Sequence, residues 1–148
     1  MSEIKSIARL ISEEGRFVGT TSGVSMEPLF SDRRDTIIVV KTDKRLKKYD
    51  VPLYKRGEDY ILHRVVRVLP DSYVICGDNC EELEYGVPDS DILGVLVAFY
   101  RKDKYYTVEN PIYRIYSFLV VNTFTLRVLA KKAKRRISRI LKRLHIKK

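Results

Sequence analysis

The chain contains no tryptophan, and it is poor in cysteine and histidine, with two of each among 148 residues. Cys76 and Cys80 are too few for a disulfide framework, and two thiols alone cannot complete the four-ligand shell of a structural zinc site. We therefore expect free thiols, and we expect neither a metal ion nor a cofactor. The scarcity of histidine also means that only His63 and His145 could supply an imidazole.

The sequence also lacks a long apolar run. The longest charge-free stretch, between Arg114 and Arg127, has only twelve residues, whereas a membrane-spanning helix needs about 20 predominantly apolar residues. Because acidic residues interrupt the first 15 positions, beginning with Glu3, we expect neither a signal peptide nor an N-terminal membrane anchor. The apolar residues between 112 and 130 favour a helix that docks on the body or lies at an interface.

Acidic residues are absent from positions 131–148, where ten lysines and arginines occur. The other residues hold the remaining 19 of the 29 basic side chains and all 19 acidic ones, so the net charge of +10 belongs to this tail. Its apolar residues recur at helical spacing and would lie on one face, opposite the cations. They are Ala133, Ile137, Ile140, Leu141 and Leu144.

Such a basic amphipathic helix is suited to an anionic membrane surface. Contact with RNA or an acidic partner is an alternative, as is a solvated helix whose apolar stripe packs on the domain. Because the excess charge is confined to residues 131–148, the charge distribution argues against a nucleic-acid-binding protein. We expect a cytoplasmic protein that associates peripherally with a membrane through this tail.

The length of the chain fits one mainly β domain with helical ends. Ser2 and Gly15 are typical of the two ends of a short helix over residues 1–15, which would include Ile4. Residues 16–110 alternate β-branched and aromatic stretches with turn residues, and residues 111–148 follow as the helical part. We predict strands at Phe17–Thr21, Thr36–Lys41, Val51–Lys55, Tyr60–Leu69, Tyr73–Cys76 and Ile92–Arg101, and a closing hairpin that includes Tyr105–Val108.

Three residues of the β region have the side chains that a serine-nucleophile mechanism requires. Ser25 lies in a glycine-preceded turn, His63 in an apolar strand and Asp78 in a tight turn. His63 would remove the proton of the Ser25 hydroxyl, because His145 is surrounded by the cations of the tail. Asp78 would orient the imidazole, or it would instead pair with Arg64.

Other interpretations of these residues are open. A buried, neutral lysine could replace the histidine as base, since desolvation lowers the pKa of a lysine, and Lys41 and Lys55 are the candidates. A histidine in a strand can also be a satisfied core residue without a catalytic role. In the same way, a Gly-Asp-Asn sequence can serve only as a hairpin turn.

Four motifs occur in the same order and at similar spacing as in the signal peptidase I and LexA-type serine peptidase superfamily. They are Gly23-Val24-Ser25-Met26-Glu27-Pro28, Tyr49-Asp50-Val51, Leu62-His63-Arg64-Val65 and Gly77-Asp78-Asn79, and they cover roughly residues 16 to 98. The chain resembles this superfamily, which implies a mostly β catalytic domain in which Ser25 attacks a peptide bond. His63 occupies the place of the lysine base of bacterial signal peptidases, as in the archaeal and endoplasmic-reticulum enzymes.

The resemblance also implies supporting roles for Gly23, Met26, Pro28, Asp50, Arg64, Gly77 and Asn79. Bacterial signal peptidases commonly have a serine where this chain has Gly23, so we expect backbone N–H donors for the oxyanion, including that of Ser25. Because few residues precede Ser25, we do not expect a LexA-like repressor with a DNA-binding domain. After Asn79 the family often carries a further aspartate, whereas residues 80–84 read Cys-Glu-Glu-Leu-Glu, and we assign no second acidic role there.

These observations predict a serine endopeptidase with a Ser25/His63 dyad or a Ser25/His63/Asp78 triad. Its substrate would be an extended leader or signal-like peptide that lies beside an exposed strand, with shallow pockets for small side chains. The alternative is a non-catalytic peptide- or membrane-binding protein that keeps the peptidase fold and acts through its basic tail.

Overall fold

The computed structural model describes residues 6–145. A short helix, α1, spans Ile7–Glu14 behind Ser6, whose hydroxyl accepts a hydrogen bond from the backbone N–H of Arg9. It ends at Gly15, where a φ of 74° lets the glycine N–H reach the Ile11 carbonyl. The predicted helix end at Gly15 is therefore confirmed. The predicted start at Ser2, and Ile4 with it, lie outside the described residues.

Nine antiparallel strands within the described residues form two sheets. They are β1 (Arg16–Thr20), β2 (Thr36–Val40), β3 (Pro52–Arg56), β4 (Asp59–Leu62), β5 (Arg64–Val68), β6 (Tyr73–Cys76), β7 (Glu84–Val87), β8 (Ile92–Arg101) and β9 (Lys104–Thr107). The larger, curled sheet has the order β1-β2-β8-β3-β4, with β9 also paired to β8, and β5-β6-β7 form the smaller sheet. The mainly β prediction is confirmed, and β6 and β8 have the predicted bounds.

The predicted single strand from 60 to 69 is wrong, because the chain changes sheets at His63. Leu62 in β4 pairs with Leu53 in the larger sheet, whereas Arg64 in β5 pairs with Cys76 in the smaller one. An unbroken apolar pattern does not show that a strand changes its partner. His63 therefore lies at the junction of the two sheets and not in the middle of a strand.

Strand β7 was not predicted. It is only four residues long and contains Gly86 with a φ of 76°, and its pairing with β6 is irregular between Tyr73 and Ile75. A short, irregular strand of this kind does not produce the alternating pattern by which strands are recognised. Its position matters for the site, because β7 begins with Glu84.

Two hydrophobic clusters form the core. The larger includes Ile11, Met26, Phe30, Val39 and Leu53, and the second includes Leu46, Tyr54, Val65, Tyr73 and Ile75. Met26, which follows Ser25, belongs to the first cluster, and Tyr54, which contacts His63, belongs to the second. The two residues of the candidate dyad are thus anchored to different parts of the core.

Two helices complete the chain. Helix α2 spans Pro111–Asn122, is capped by the side chain of Asn110, and buries Tyr113, Ser117, Val120 and Val121 against the body. This confirms a docked helix, but it ends at Thr123 and not near residue 130, and helix α3 (Phe124–His145) begins immediately afterwards. Among the residues described, neither of these helices nor α1 is long and apolar enough to cross a membrane.

The apolar stripe of α3 faces solvent. Ile137 is 58% exposed, Ile140 is 50% exposed and Leu144 is 61% exposed. The alternative in which this stripe packs on the domain is therefore wrong for these residues. The C-terminal half of α3 presents both its cations and its apolar side chains to the surroundings.

Candidate active site

Ser25 lies in the irregular segment that follows β1. Gly23 has a φ of 86°, which a side chain would strain, and its N–H donates to the Asp32 carboxylate at 2.7 Å. On the other side of Ser25, Met26 is buried in the core, and the Glu27–Pro28 peptide bond is cis. The motif that was predicted to carry the nucleophile thus fixes the backbone on both sides of a half-buried serine.

The turn at Gly77–Asn79 is hydrogen bonded directly to this segment. The backbone N–H of Asn79 donates to the Ser25 carbonyl at 2.8 Å, and its side-chain amide donates to the Val24 carbonyl at 3.1 Å. A Cβ on Gly77 would lie 2.6 Å from the Ser25 carbonyl oxygen and 2.9 Å from Nε2 of His63. Position 77 therefore requires glycine. The same distances show that the Ser25 carbonyl oxygen and Nε2 of His63 are close to each other, because their separation cannot exceed the sum of 2.6 Å and 2.9 Å.

The structure brings Ser25 and His63 to one cavity of about 900 Å³. Their side chains are not hydrogen bonded to each other within residues 6–145, and catalytic hydrogen bonds are often long without substrate. In the same part of the chain, no hydrogen bond uses the backbone N–H of Ser25. That N–H is therefore free to donate a hydrogen bond to an oxyanion, which forms when the serine oxygen attacks a carbonyl carbon.

His63 is 8% exposed, and its Nδ1 faces the Tyr54 hydroxyl at 3.4 Å. The Tyr54 hydroxyl donates to the Glu84 carboxylate at 2.6 Å, and Arg56 contacts the same oxygen at 3.2 Å. Burial, and after it the charge of Arg56, lowers the pKa of His63 below its ordinary value. A lowered pKa keeps the imidazole neutral at physiological pH, which is the form that a general base needs.

Asp78 lies beside the site, and its carboxylate is hydrogen bonded to Arg64 and Tyr116. Its two carboxylate oxygens accept from Nε and Nη2 of Arg64, each at 2.8 Å, and one of them also accepts from the Tyr116 hydroxyl at 2.9 Å. The side chains of Arg64 and Asp78 are 1% and 0% exposed. The structure therefore gives Asp78 the second of its two expected roles, the pair with Arg64, because its oxygens are occupied there.

Arg64 ties this pair to the rest of the molecule. Its remaining nitrogen, Nη1, donates to the Tyr49 carbonyl at 3.1 Å, the Tyr113 hydroxyl at 3.2 Å and the Ser117 hydroxyl at 2.7 Å. Next to Tyr49, the Asp50 carbonyl accepts from the N–H of Val65 at 2.8 Å. The three motifs around Asp50, Arg64 and Asp78 are thus joined in one buried network that includes α2.

Of the other sequence-based candidates, Cys80 lines the cavity shared by Ser25 and His63, whereas the two lysines do not. Lys41 and Lys55 are both exposed, so neither has the desolvated surroundings that a lysine base needs. Cys76 and Cys80 are free thiols. Within the described part of the chain, no group of three histidine, cysteine or acidic side chains is placed to hold a metal ion.

Ser25 also lines a second cavity, which is largely apolar and has a volume of about 180 Å³. Its walls come from α1, β1 and β2, from the segment around Ser25, and from β3 and β4. The apolar lining includes Phe17, Met26, Phe30, Ile37, Leu53 and Leu62. A side chain of a bound peptide could enter this cavity while its backbone lies against Ser25.

Helix α3 contacts the turn that carries Asp78, which sequence reasoning missed. Arg127 donates to the Asp78 carbonyl at 2.6 Å, and Lys131 donates to the backbone and side-chain oxygens of Asn79, both at 2.6 Å. Arg135 forms an ion pair with Glu81. The first residues of the basic tail, Lys131 and Arg135, thus bind the turn that is hydrogen bonded to Ser25 and the residue Glu81 that follows it.

Sequence reasoning also missed the contact of His63 with Tyr54, and the hydrogen bond of Tyr54 to Glu84. The sequence pattern places Tyr54 only within a strand, and Glu84 belongs to the segment to which no acidic role was assigned. Tyr54 and Glu84 are 30 residues apart and meet only because β3 and β7 converge on the junction at His63. The sequence offered one signal for this interaction, the position of Glu84 shortly after the Gly77–Asn79 turn.

Comparison of the chain with known protein families, with curated proteins and with solved structures found no match. Function is therefore inferred from the geometry described above and from the four sequence motifs.

Proposed function

We propose that this protein is a serine endopeptidase in which Ser25 is the nucleophile and His63 the general base, on a β domain of the signal peptidase and LexA type. The observation that carries the proposal is the convergence at Gly77, where the Ser25 carbonyl and Nε2 of His63 approach one point from two sides. A neutral, buried imidazole beside a serine with a free backbone N–H is the arrangement that acyl transfer needs.

The reaction follows from these positions. Nε2 of His63 accepts the proton of the Ser25 hydroxyl as the oxygen attacks the peptide carbonyl carbon, and the N–H of Ser25 donates to the oxyanion. The imidazolium then gives its proton to the leaving amine as the C–N bond breaks, which leaves an acyl-enzyme. A water molecule, deprotonated by His63, attacks the ester, releases the carboxyl product and restores the serine hydroxyl.

An extended peptide is the substrate that the sheet favours. Strand β4 ends the strand order of the larger sheet, so among the described residues one side of Asp59–Leu62 has no partner strand. A peptide that pairs with this edge would pass the junction at His63, next to Ser25. The apolar cavity beside Ser25 would then receive an apolar side chain near the scissile bond, as a leader or signal-like peptide could supply.

The test is cleavage of a mixed peptide library, followed by mass spectrometry, with wild-type protein and Ser25→Ala. We expect Ser25→Ala to lose cleavage by a factor of about 10⁴ or more while it unfolds at the wild-type urea concentration. Ser90→Ala, which alters an exposed serine in the turn before β8, is the matched control and should cleave at the wild-type rate. A folded Ser25→Ala protein that cleaves as fast as wild type would refute the proposal.

We further propose that α3 holds the enzyme at an anionic membrane surface. No acidic residue follows Glu109 in the sequence, and the apolar stripe at Ile137, Ile140 and Leu144 is exposed. An exposed apolar stripe among cations matches a surface that offers both acyl chains and negative headgroups. An RNA or an acidic protein would satisfy the cations but would leave the stripe without a partner.

Sedimentation with lipid vesicles tests this surface. We expect binding to vesicles that contain phosphatidylserine, weak binding to pure phosphatidylcholine, and about fivefold weaker binding for each cation removed, beginning with Lys142→Gln. Ile140→Ser should also weaken binding, whereas Lys104→Gln in β9 should not. Equal binding to both vesicle types would contradict the proposal, and so would cosedimentation that Ile140→Ser leaves unchanged.

The same variants separate the peptidase from a non-catalytic membrane- or peptide-binding protein that keeps the fold. In the peptidase, Ser25→Ala removes cleavage and leaves vesicle binding intact. If the wild-type protein shows no cleavage, and the Ser25→Ala variant binds vesicles or peptides as well as wild type does, the chain is the binding protein instead.

A further inference from the structure

We propose that Tyr54 and Glu84 are positioning residues that fix which nitrogen of His63 carries the proton, so that Nε2 is the free base facing Ser25. This inference rests on the proposed function, because it assigns these two residues to the base of the same reaction. They take the place that Asp78 was expected to occupy.

The direction of the hydrogen bonds follows from counting protons. The Tyr54 hydroxyl has one proton and donates it to the Glu84 carboxylate at 2.6 Å, since an ionised carboxylate can only accept. The same hydroxyl therefore turns a lone pair towards Nδ1 of His63, 3.4 Å away. A lone pair is complemented only by a protonated Nδ1, and a neutral ring protonated there has its free lone pair at Nε2.

Position supports the same assignment. Nε2 is the ring nitrogen on the side of Gly77, 2.9 Å from the place of a Cβ there, and the Gly77–Asn79 turn is hydrogen bonded to Ser25, so the free lone pair lies on the side of the ring where this turn meets the serine. Burial is the main cause that raises the pKa of the Tyr54 hydroxyl, with Glu84 next. Tyr54 thus keeps its proton throughout the range in which a peptidase works.

The two residues also connect the two sheets at the point where they join. Tyr54 is buried in β3 of the larger sheet, and Glu84 begins β7 of the smaller one. Arg56, two residues after Tyr54, contacts the same Glu84 oxygen at 3.2 Å. The carboxylate is therefore held from the larger sheet by two donors, and it in turn holds the phenol against the ring.

The charges that face His63 come from three elements. Arg56 on β3 lowers the pKa of the ring, whereas Glu84 on β7 and Asp78 in the turn after β6 raise it. When His63 takes the serine proton, the developing imidazolium is stabilised by Glu84 across the Tyr54 hydroxyl. Asp78 contributes less than Glu84, and its oxygens are occupied by Arg64 and Tyr116.

Nitrogen NMR of the full-length protein tests the inference without any substrate. With ¹⁵N-labelled histidine, the protonated and unprotonated nitrogens of a neutral ring have well-separated shifts, and the His63 signals are identified by their loss in His63→Gln. We expect wild-type protein above the pKa of His63 to show the proton on Nδ1. A proton on Nε2 instead would overturn the proposal.

Two substitutions at Glu84 form the critical pair. Glu84→Gln keeps an acceptor for the Tyr54 proton, so the ring should stay protonated on Nδ1. Glu84→Leu removes the acceptor, so the Tyr54 proton can turn to Nδ1 and the ring should shift towards the form protonated on Nε2. If the Glu84→Leu and Glu84→Gln variants give the same tautomer, Glu84 does not set it and the proposal fails.

Kinetics provide the second readout. Tyr54→Phe removes the hydroxyl that donates to Glu84 and faces Nδ1 of His63, and it should lower kcat about five- to tenfold with little change in KM. Tyr85→Phe, next to Glu84 and 64% exposed, is the control and should match wild type. An unchanged kcat in Tyr54→Phe would overturn the positioning role. If instead the tautomers behave as expected but wild-type protein and Ser25→Ala are equally inactive, it is the proposed peptidase function that fails.

Discussion

Two carboxylates stand near His63, and the molecule holds them in opposite ways. The side chain of Asp78 is completely buried, and both of its oxygens accept from Arg64, which is 1% exposed, while one of them also accepts from Tyr116. Glu84 keeps 29% of its side chain exposed and shares one oxygen between a phenol and the exposed guanidinium of Arg56. Asp78 belongs to the Gly77-Asp78-Asn79 motif. Glu84 belongs to no motif, but it is hydrogen bonded to Tyr54, which contacts the His63 ring.

The difference shows that membership of a sequence motif does not by itself reveal which residue a side chain interacts with. The Arg64 guanidinium needs a buried anion far more than a neutral imidazole does, because an unpaired charge in the core is costly. Asp78 therefore stabilises the network that holds the turn, and the weaker demand of the ring is met by Tyr54 and Glu84. Substitutions that affect the two carboxylates differently can break or sharpen this comparison.

The largest effect is expected at Asp78. Asp78→Asn leaves the Arg64 charge buried without its anion and should reduce the free energy of unfolding by about 3 to 5 kcal/mol. Glu84→Gln, in contrast, should change it by at most about 1 kcal/mol, since the carboxylate is partly solvated. Urea denaturation of both variants checks this. Equal losses would mean that the two carboxylates have the same structural role.

The next effect concerns the contact of α3 with the Asp78 turn. Lys131→Met removes the charged donor to both oxygens of Asn79 and should cost about 1 to 2 kcal/mol in urea denaturation. The adjacent Lys132 is exposed, so Lys132→Met should stay within about 0.5 kcal/mol of wild type. If the two variants are indistinguishable, α3 does not hold the turn beside Ser25.

A smaller effect is expected on the pH dependence of kcat/KM. His63 must be neutral to act, and its pKa is lowered mainly by burial and then by Arg56. Activity should therefore persist below the ordinary histidine pKa and fall as the pH drops through the lowered value. Arg56→Gln removes a charge that lowers the pKa, so the acidic limb should move to higher pH.

Glu84→Gln should move the same limb in the opposite direction, to lower pH, because Glu84 raises the pKa of His63. Each shift should be less than about one pH unit, since solvent screens both partly exposed side chains. Shifts of the same sign in Arg56→Gln and Glu84→Gln would contradict the arrangement of charge around the ring. If neither variant shifts the acidic limb of kcat/KM, that limb reflects the titration of a group other than His63.

Much of the fold could be predicted because local pattern decides it. The runs of β-branched and aromatic residues in β6 and β8, and Gly15 at the end of α1, are features of the local sequence, and the predicted bounds were confirmed there. No glycine or proline marks the change of sheets at His63 or the end of α2 at Thr123, because partner strands and packing determine them. In the same way, no local pattern could show that the stripe of α3 faces solvent.

The site residues likewise fall into two groups, those that a local motif indicates and those that only the fold brings together. Ser25, His63, Gly77 and Asn79 were found because each belongs to a short motif, and the structure brings them together. The partner of the imidazole could not be found in this way, since Tyr54 and Glu84 meet only through the convergence of two strands from different sheets. Asp78 showed both of its options in the sequence, but burial of Arg64 decides between them.

The most direct test of the account is a double-mutant cycle of Ser25→Ala and His63→Ala, measured as peptide cleavage. If the two residues act as one unit, either substitution alone should remove cleavage by about 10⁴-fold or more, and the double variant should be no slower than the single ones. Losses that add on the logarithmic scale would contradict a Ser25/His63 dyad, and so would a single variant that cleaves like wild type.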